Sequence, residues 1–255
     1  RKVFDEQVKL FLGKTDLFEF QLTINEEKYG TEWQEDIHGL LDSMNFMLRR
    51  VHEKKGINDE LLKQLTVDAS TIKLPYLYFL PELTQDQELH VVPIISAYQG
   101  STWHLGRFLD RMLRPFVRRV LSDTRIEDEN DFAQKFHHYC RTHRSFASNT
   151  LFASVRITNY SAMGTHTMMA DAVEYMLRDH LPGSVLDNVS IVHVKNLVQL
   201  FLFNNLFVYE NKVYTCLKGS PTTIPLSETL AEMYLCQWQK LLLKELRARQ
   251  QFFGR

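Results

Sequence analysis

The chain has 255 residues, 44% hydrophobic and 12% aromatic, enough apolar material to bury a core without disulfides or metals, so a folded globular body is expected. Its formal net charge of -1 excludes a globally basic binder of polyanions, and any nucleic-acid surface has to be a local patch. Cys140, Cys216 and Cys236 are too scattered for a disulfide framework or a C-x-x-C metal site, which points to an intracellular setting, nuclear or cytoplasmic.

In chain order, residues 27–55 place Trp33, Ile37, Leu40, Leu41, Met44, Met47, Leu48 and Val51 on one helical stripe that ends at Gly56. A shorter helix is expected from Asn58, whose side chain can cap exposed amides. "IKLPYLYFLP" and "LHVVPIISA" flank the polar "ELTQDQE" and read as a two-stranded ribbon over 72–97. From Ser101, Leu105, Phe108, Leu109, Met112 and Phe116 return at helical spacing, with Pro115 marking a kink or a restart. A further helix is expected over Asp131 to Phe146.

"TLFASVRITNYSAMGTH", 150–166, reads as a buried strand, a tight turn at Gly164 and the start of a helix. That helix carries Met169, Val173, Met176 and Leu177 and stops by Pro182-Gly183. A helix and then a hairpin follow, with the turn in "YENK", and a long helix from about Pro225 closes the sequence. The irregular alternation predicts an α+β fold with an antiparallel sheet and packed helices. No stretch is long and apolar enough for a bilayer crossing, and the N-terminus is not a secretory signal, so no membrane partner is expected. The chain begins at Arg1 rather than methionine and is expected to be an excised domain.

Chemistry-bearing clusters are few. His137, His138, Cys140 and His143 do not all face one way on a helix and have no partner pair at finger spacing, so no metal is expected there. Ser154 and Ser161 lack a nucleophile elbow and a positioned base, and no glycine-rich phosphate loop is present. Charge is more informative. From Phe132 to Ala170 the chain has Lys135, Arg141, Arg144 and Arg156 without one acidic residue. With Arg107, Arg111, Arg114, Arg118, Arg119 and Arg125 these form a candidate basic face for phosphates. Acidic stretches at Glu26 to Asp36 and Glu127 to Asp131 cancel the global charge.

Four collinear phrases share one pattern. "YFLPELTQDQELHVVPIIS" resembles the fingers segment of reverse transcriptases, and "GSTWHLGRFLDRMLRPFV" the helix that follows it. "SVRITNYSAMGTH" resembles the first palm motif and "NNLFVYENKVYTCLKGSPTTIPLSETLAEMYL" the second, with the Penelope-like branch the most similar. The resemblance implies right-hand polymerase-like fingers and a partial palm. It divides the chain into an N-terminal helical region 1–70, a fingers-like subdomain 71–148 and an incomplete palm-like subdomain 149–255.

The family's chemistry needs two divalent cations held by carboxylates. Where the resemblance expects the first aspartate, this chain has Val155. The fingers lysine is replaced by Glu82, the basic residue before Pro93-Ile94 by Val92, the palm glutamine by Cys216, and a Met-Gly pair by Thr222-Thr223. Fold-shaping positions still match, among them Pro81, Pro93, Tyr160, Phe207, Tyr214, Gly219 and Pro225. The implied function is a catalytically inactive reverse-transcriptase-like domain, without cofactor, acting as an RNA-binding or protein-interaction scaffold. The alternative is an active RNA-directed DNA polymerase of a divergent retroelement, using Mg²⁺. Arg118, Arg119, Arg141, Arg144, Arg156 and Tyr160, which can stack on a base, are the candidate nucleic-acid contacts, with RNA or a protein as partner.

Overall fold

The computed structural model describes residues 2–13, 16–24, 33–68, 70–83, 88–143, 150–157 and 162–255, apart from the side chains of 33–36 and 143. Helix α1 (Lys2–Leu12) and strand β1 (Phe18–Thr23) precede α2 (Trp33–Glu53), which ends as expected before Gly56. Asn58 starts α3 (Asp59–Leu65) by accepting from the Leu61 amide at 2.8 Å. The ribbon is β2 (Tyr76–Leu83) with β3 (Leu89–Ser96), antiparallel from Tyr76↔Ser96 to Leu83↔Leu89. Helix α4 (Trp103–Leu121) runs through Pro115, which lies on the exposed side, where water can reach the carbonyl it leaves without a helical partner. Helix α5 (Glu129–His143) follows.

Thr165 caps α6 (His166–His180), and a short pair, β4 (Val185–Leu186) and β5 (Val189–Ser190), leads into α7 (Ile191–Phe203), capped by Ser190. The expected hairpin is β6 (Leu206–Tyr209) and β7 (Lys212–Cys216), turning at Glu210 with φ 55°. The final helix of the sequence reading is two, α8 (Pro225–Trp238) and α9 (Lys240–Ala248), meeting at Gln239.

The fold is α+β, but its five-stranded sheet is mixed rather than antiparallel. The order is β1-β7-β6-β2-β3, and β2 meets β6 in parallel at Tyr76↔Val208. The chain between them returns through helices, and such a crossover brings a strand back in the same direction.

The buried strand expected from 150 towards the turn at Gly164 is also corrected over 150–157; residues 158–161 lie outside the described residues. The segment carries no strand, and Leu151, Phe152 and Val155 are 92%, 76% and 85% exposed. β-Branched residues favour extended backbone, but a strand also needs a neighbour for its amides and carbonyls, and no described strand pairs with this segment.

Both faces of the sheet are covered around β6. Along β6, Leu206 and Val208 pack with Ile24, Ile37, Leu41 and Val213 under α2, while Phe207 points into the main core. This two-sided burial explains why "LFVY" is apolar throughout. The main core joins Leu48 of α2, Leu109 of α4, Val173 of α6, Phe201 of α7 and Leu230 of α8 into one cluster. Inside it, Asp110 of α4 accepts from Thr229 Oγ1 of α8 at 2.6 Å and from Arg114 Nε at 3.0 Å, satisfying a nearly buried carboxylate.

Candidate nucleic-acid interface

The positions singled out by resemblance in the fingers and the second palm motif converge in space. Pro93 and Ile95 of β3, Cys216 at the end of β7 and Thr222 in the following loop surround a cavity of about 40 Å³. A water molecule occupies about 30 Å³ of liquid, so this space is far too small for a nucleotide. What fills it is the N-terminal region. Strand β1 adds to the edge of β7 with Phe18 opposite Cys216, and Phe11 of α1 meets Phe79 of β2 edge-on at 5.5 Å. Phe11, Leu17 and Phe18 all line the cavity.

The loop after β7 is tied down on the same side. Thr223 Oγ1 donates to the Ile95 carbonyl at 2.7 Å and accepts from the Ala97 amide at 3.0 Å. The side chain that stands where the resemblance expects glycine is therefore a latch between loop and ribbon. Gly219 keeps a left-handed backbone, φ 61°, and its amide donates to Gly164 at 3.0 Å. Gly164 leaves little room for a larger residue: a Cβ there would sit 3.0 Å from the Tyr234 ring, which would have to shift by a few tenths of an ångström.

Electrostatics make this pocket inert. Burial pushes the Cys216 thiol up to about 12, so it stays protonated and unreactive at neutral pH. His166 is buried, its Nε2–H donates to the Gly219 carbonyl at 3.0 Å, and its ring stands edge-on to Phe203. Loss of hydration pulls its pKa below the ordinary value, leaving a neutral imidazole with a structural bond. Glu82 is exposed opposite His90, and Val92 is half-buried.

Val155 does not line this pocket; it lies on the irregular 150–157 segment. Among the described residues no group of three or more His, Cys, Asp or Glu side chains could hold a metal ion. His137 and His138 are exposed on α5 with Cys140 half-buried, and the side chain of His143 lies outside the described set.

The basic residues separate into distinct places. On α4, Arg107, Arg111, Arg114 and Arg118 recur at intervals of four and three residues, which puts them on one stripe. Arg114 is taken by Asp110 and by Glu228 at 3.6 Å. Arg107 lies over the Trp103 ring and Arg119 over Phe116, at 6.0 and 5.7 Å. Arg107, Arg111, Arg118 and Arg119 are exposed and have no carboxylate partner among the described residues. Several cations elsewhere are paired: Arg125 with Glu232, Lys195 with Asp171, Lys218 with Asp16, Lys240 with Asp179.

Arg118 and Arg119 thus share the last turn of α4. Arg141 is exposed near the end of α5, and Arg156 on the 150–157 segment. Arg144 and Tyr160 lie outside the described residues. Phe11 and Phe18 are the functional surprise. The alternation in "FEFQLT" signals a strand, but nothing in it signals which edge the strand takes. Comparison of the chain with protein-family models, curated proteins and solved structures finds no match.

Proposed function

We propose that the chain is a reverse-transcriptase-like domain without polymerase chemistry, serving as an RNA-binding scaffold whose contact surface is the arginine face of α4. The observation that carries the RNA reading is the unpaired state of Arg107, Arg111, Arg118 and Arg119 on one helix whose other side is core. Guanidiniums held without internal carboxylates are available to phosphate oxygens, which they meet bidentately. The loss of catalysis is supported separately, by valine at the expected metal-binding position and by Phe11, Leu17 and Phe18 lining the small cavity beside Cys216 and Thr222.

The experiment has two arms. In binding, affinity for a single-stranded RNA should fall steeply with salt, and each of Arg111→Glu and Arg118→Glu should flatten the slope of log affinity on log salt by about one phosphate contact. Salt-insensitive binding would instead favour a protein partner, with the exposed Tyr76 and Leu80 of β2 as its contact. In catalysis, primer extension with Mg²⁺ or Mn²⁺ should give no incorporation, and robust incorporation would restore the polymerase alternative.

A further inference from the structure

We propose that a groove between α5, α9 and the C-terminal residues 250–255 binds a small planar heterocycle carrying an anionic group, of the mononucleotide class. This site is separate from the α4 face. The cavity has a volume of about 510 Å³, within the roughly 300–1,000 Å³ usual for small-molecule sites. Its walls are largely apolar. Tyr139 of α5 lies 5.6 Å from Phe252, ring to ring, and Leu243 and Leu246 of α9 complete that side. Phe252 is held from behind by Phe136, edge-on at 5.3 Å. The chain end beyond it is held as well: Arg255 N donates to the Thr124 carbonyl at 2.9 Å, and Ile126 N to the Arg255 carbonyl at 2.8 Å.

The polar groups of the groove divide by whether their bonding is already spent. Lys135 donates to Asp131 at 2.9 Å, to the Ser122 carbonyl at 3.2 Å and to the Arg125 carbonyl. Its three donors are used, so it neutralises Asp131 and offers a ligand nothing. Arg247 is the opposite case. It lines this groove and an adjoining cavity of about 180 Å³, is exposed, and makes no side-chain hydrogen bond or ion pair among the described residues. Its planar fork matches a phosphate or carboxylate. The Asp123 carboxylate on the same wall is likewise without a partner among the described residues and accepts from an amino group.

These features select one ligand chemistry. An inorganic anion would satisfy Arg247 and leave the aromatic wall wet, whereas an apolar ring would leave both charges unused. A heterocycle with an exocyclic amine and a phosphate uses all of them.

The test is calorimetric titration of the full chain with adenosine 5′-monophosphate, with adenosine and inorganic phosphate as separate arms. The expected result is saturable binding of the nucleotide, tighter than either fragment. Arg247→Ala should weaken it about tenfold or more, the loss of one charge-assisted contact. Arg247→Lys should recover part of that loss, and Phe252→Leu should weaken binding with the circular dichroism spectrum unchanged. Arg118→Ala should leave nucleotide affinity as it is, which separates this site from the RNA surface. No saturable binding at millimolar nucleotide, or wild-type affinity in Arg247→Ala, overturns the proposal.

Discussion

His166 sits beneath the loop after β7 with its ring neutral, because burial favours the uncharged form more strongly than the Gly219 carbonyl favours the cation. Its native pKa lies below the unfolded value near 6.5, so the unfolded chain takes up the proton first. The sign follows: its contribution is fully present well above 6.5 and is lost as pH drops through 6.5 towards the depressed native value. Urea midpoints measured from about pH 8 to about pH 5 should fall, and fall less in His166→Gln, which keeps a donor for the carbonyl. Equal pH slopes in the two proteins would remove His166 from the account. Carboxylates held low by a cation, such as Glu174 beside Lys195 and Asp179 beside Lys240, act in a more acidic range and do not mimic this signature. The arginines of the candidate face were legible as a spacing of four, three and four residues. Which of them are free was not legible, because Asp110 and Glu228, the groups that consume Arg114, come from α4 itself and from a helix more than a hundred residues away.

Elements whose signals are local could be read directly. The stripe of α2, the Asn58 cap of α3, the β2–β3 ribbon and the β6–β7 hairpin follow from periodicity and turn chemistry within a few residues. Where a partner elsewhere decides, the sequence is silent. The parallel meeting of β2 with β6 depends on the crossover between them, and the attachment of β1 to β7 on a choice of edge. Residues 150–157 show the same limit from the other side: the residue types favour extended backbone, yet no described strand lies alongside. A segment with exposed amides and large exposed side chains is the first place a protease finds. Limited digestion with chymotrypsin should therefore cut first after Leu151 or Phe152, before any site in β6 or α7. Early cleavage within those buried elements would show that this segment is protected.

At the scale of the whole molecule, one core ties residues 71–148 to residues 149–255 through α7, whose buried residues meet α4, α6 and the sheet. Phe201 is fully buried, and its ring stands close enough to Gly106 of α4 that a Cβ there would lie 2.9 Å away. Phe201→Ala removes a large side chain from a site closed on all sides, so a loss of about 3–5 kcal/mol is expected by denaturant unfolding. A loss below about 1 kcal/mol would mean the neighbourhood collapses freely into the space.

The ribbon of β2 and β3 joins the remaining sheet by a single ladder pair at its root, Tyr76↔Val208, with the Thr223 latch close by at Ile95 and Ala97. Contact from α1 reaches Phe79, leaving residues 80–83 and their partners as an overhang of about 13 Å. Such a projection has the shape of a cantilever, with its free tip at Leu83 and its anchorage at the Tyr76↔Val208 pair and the Thr223 latch.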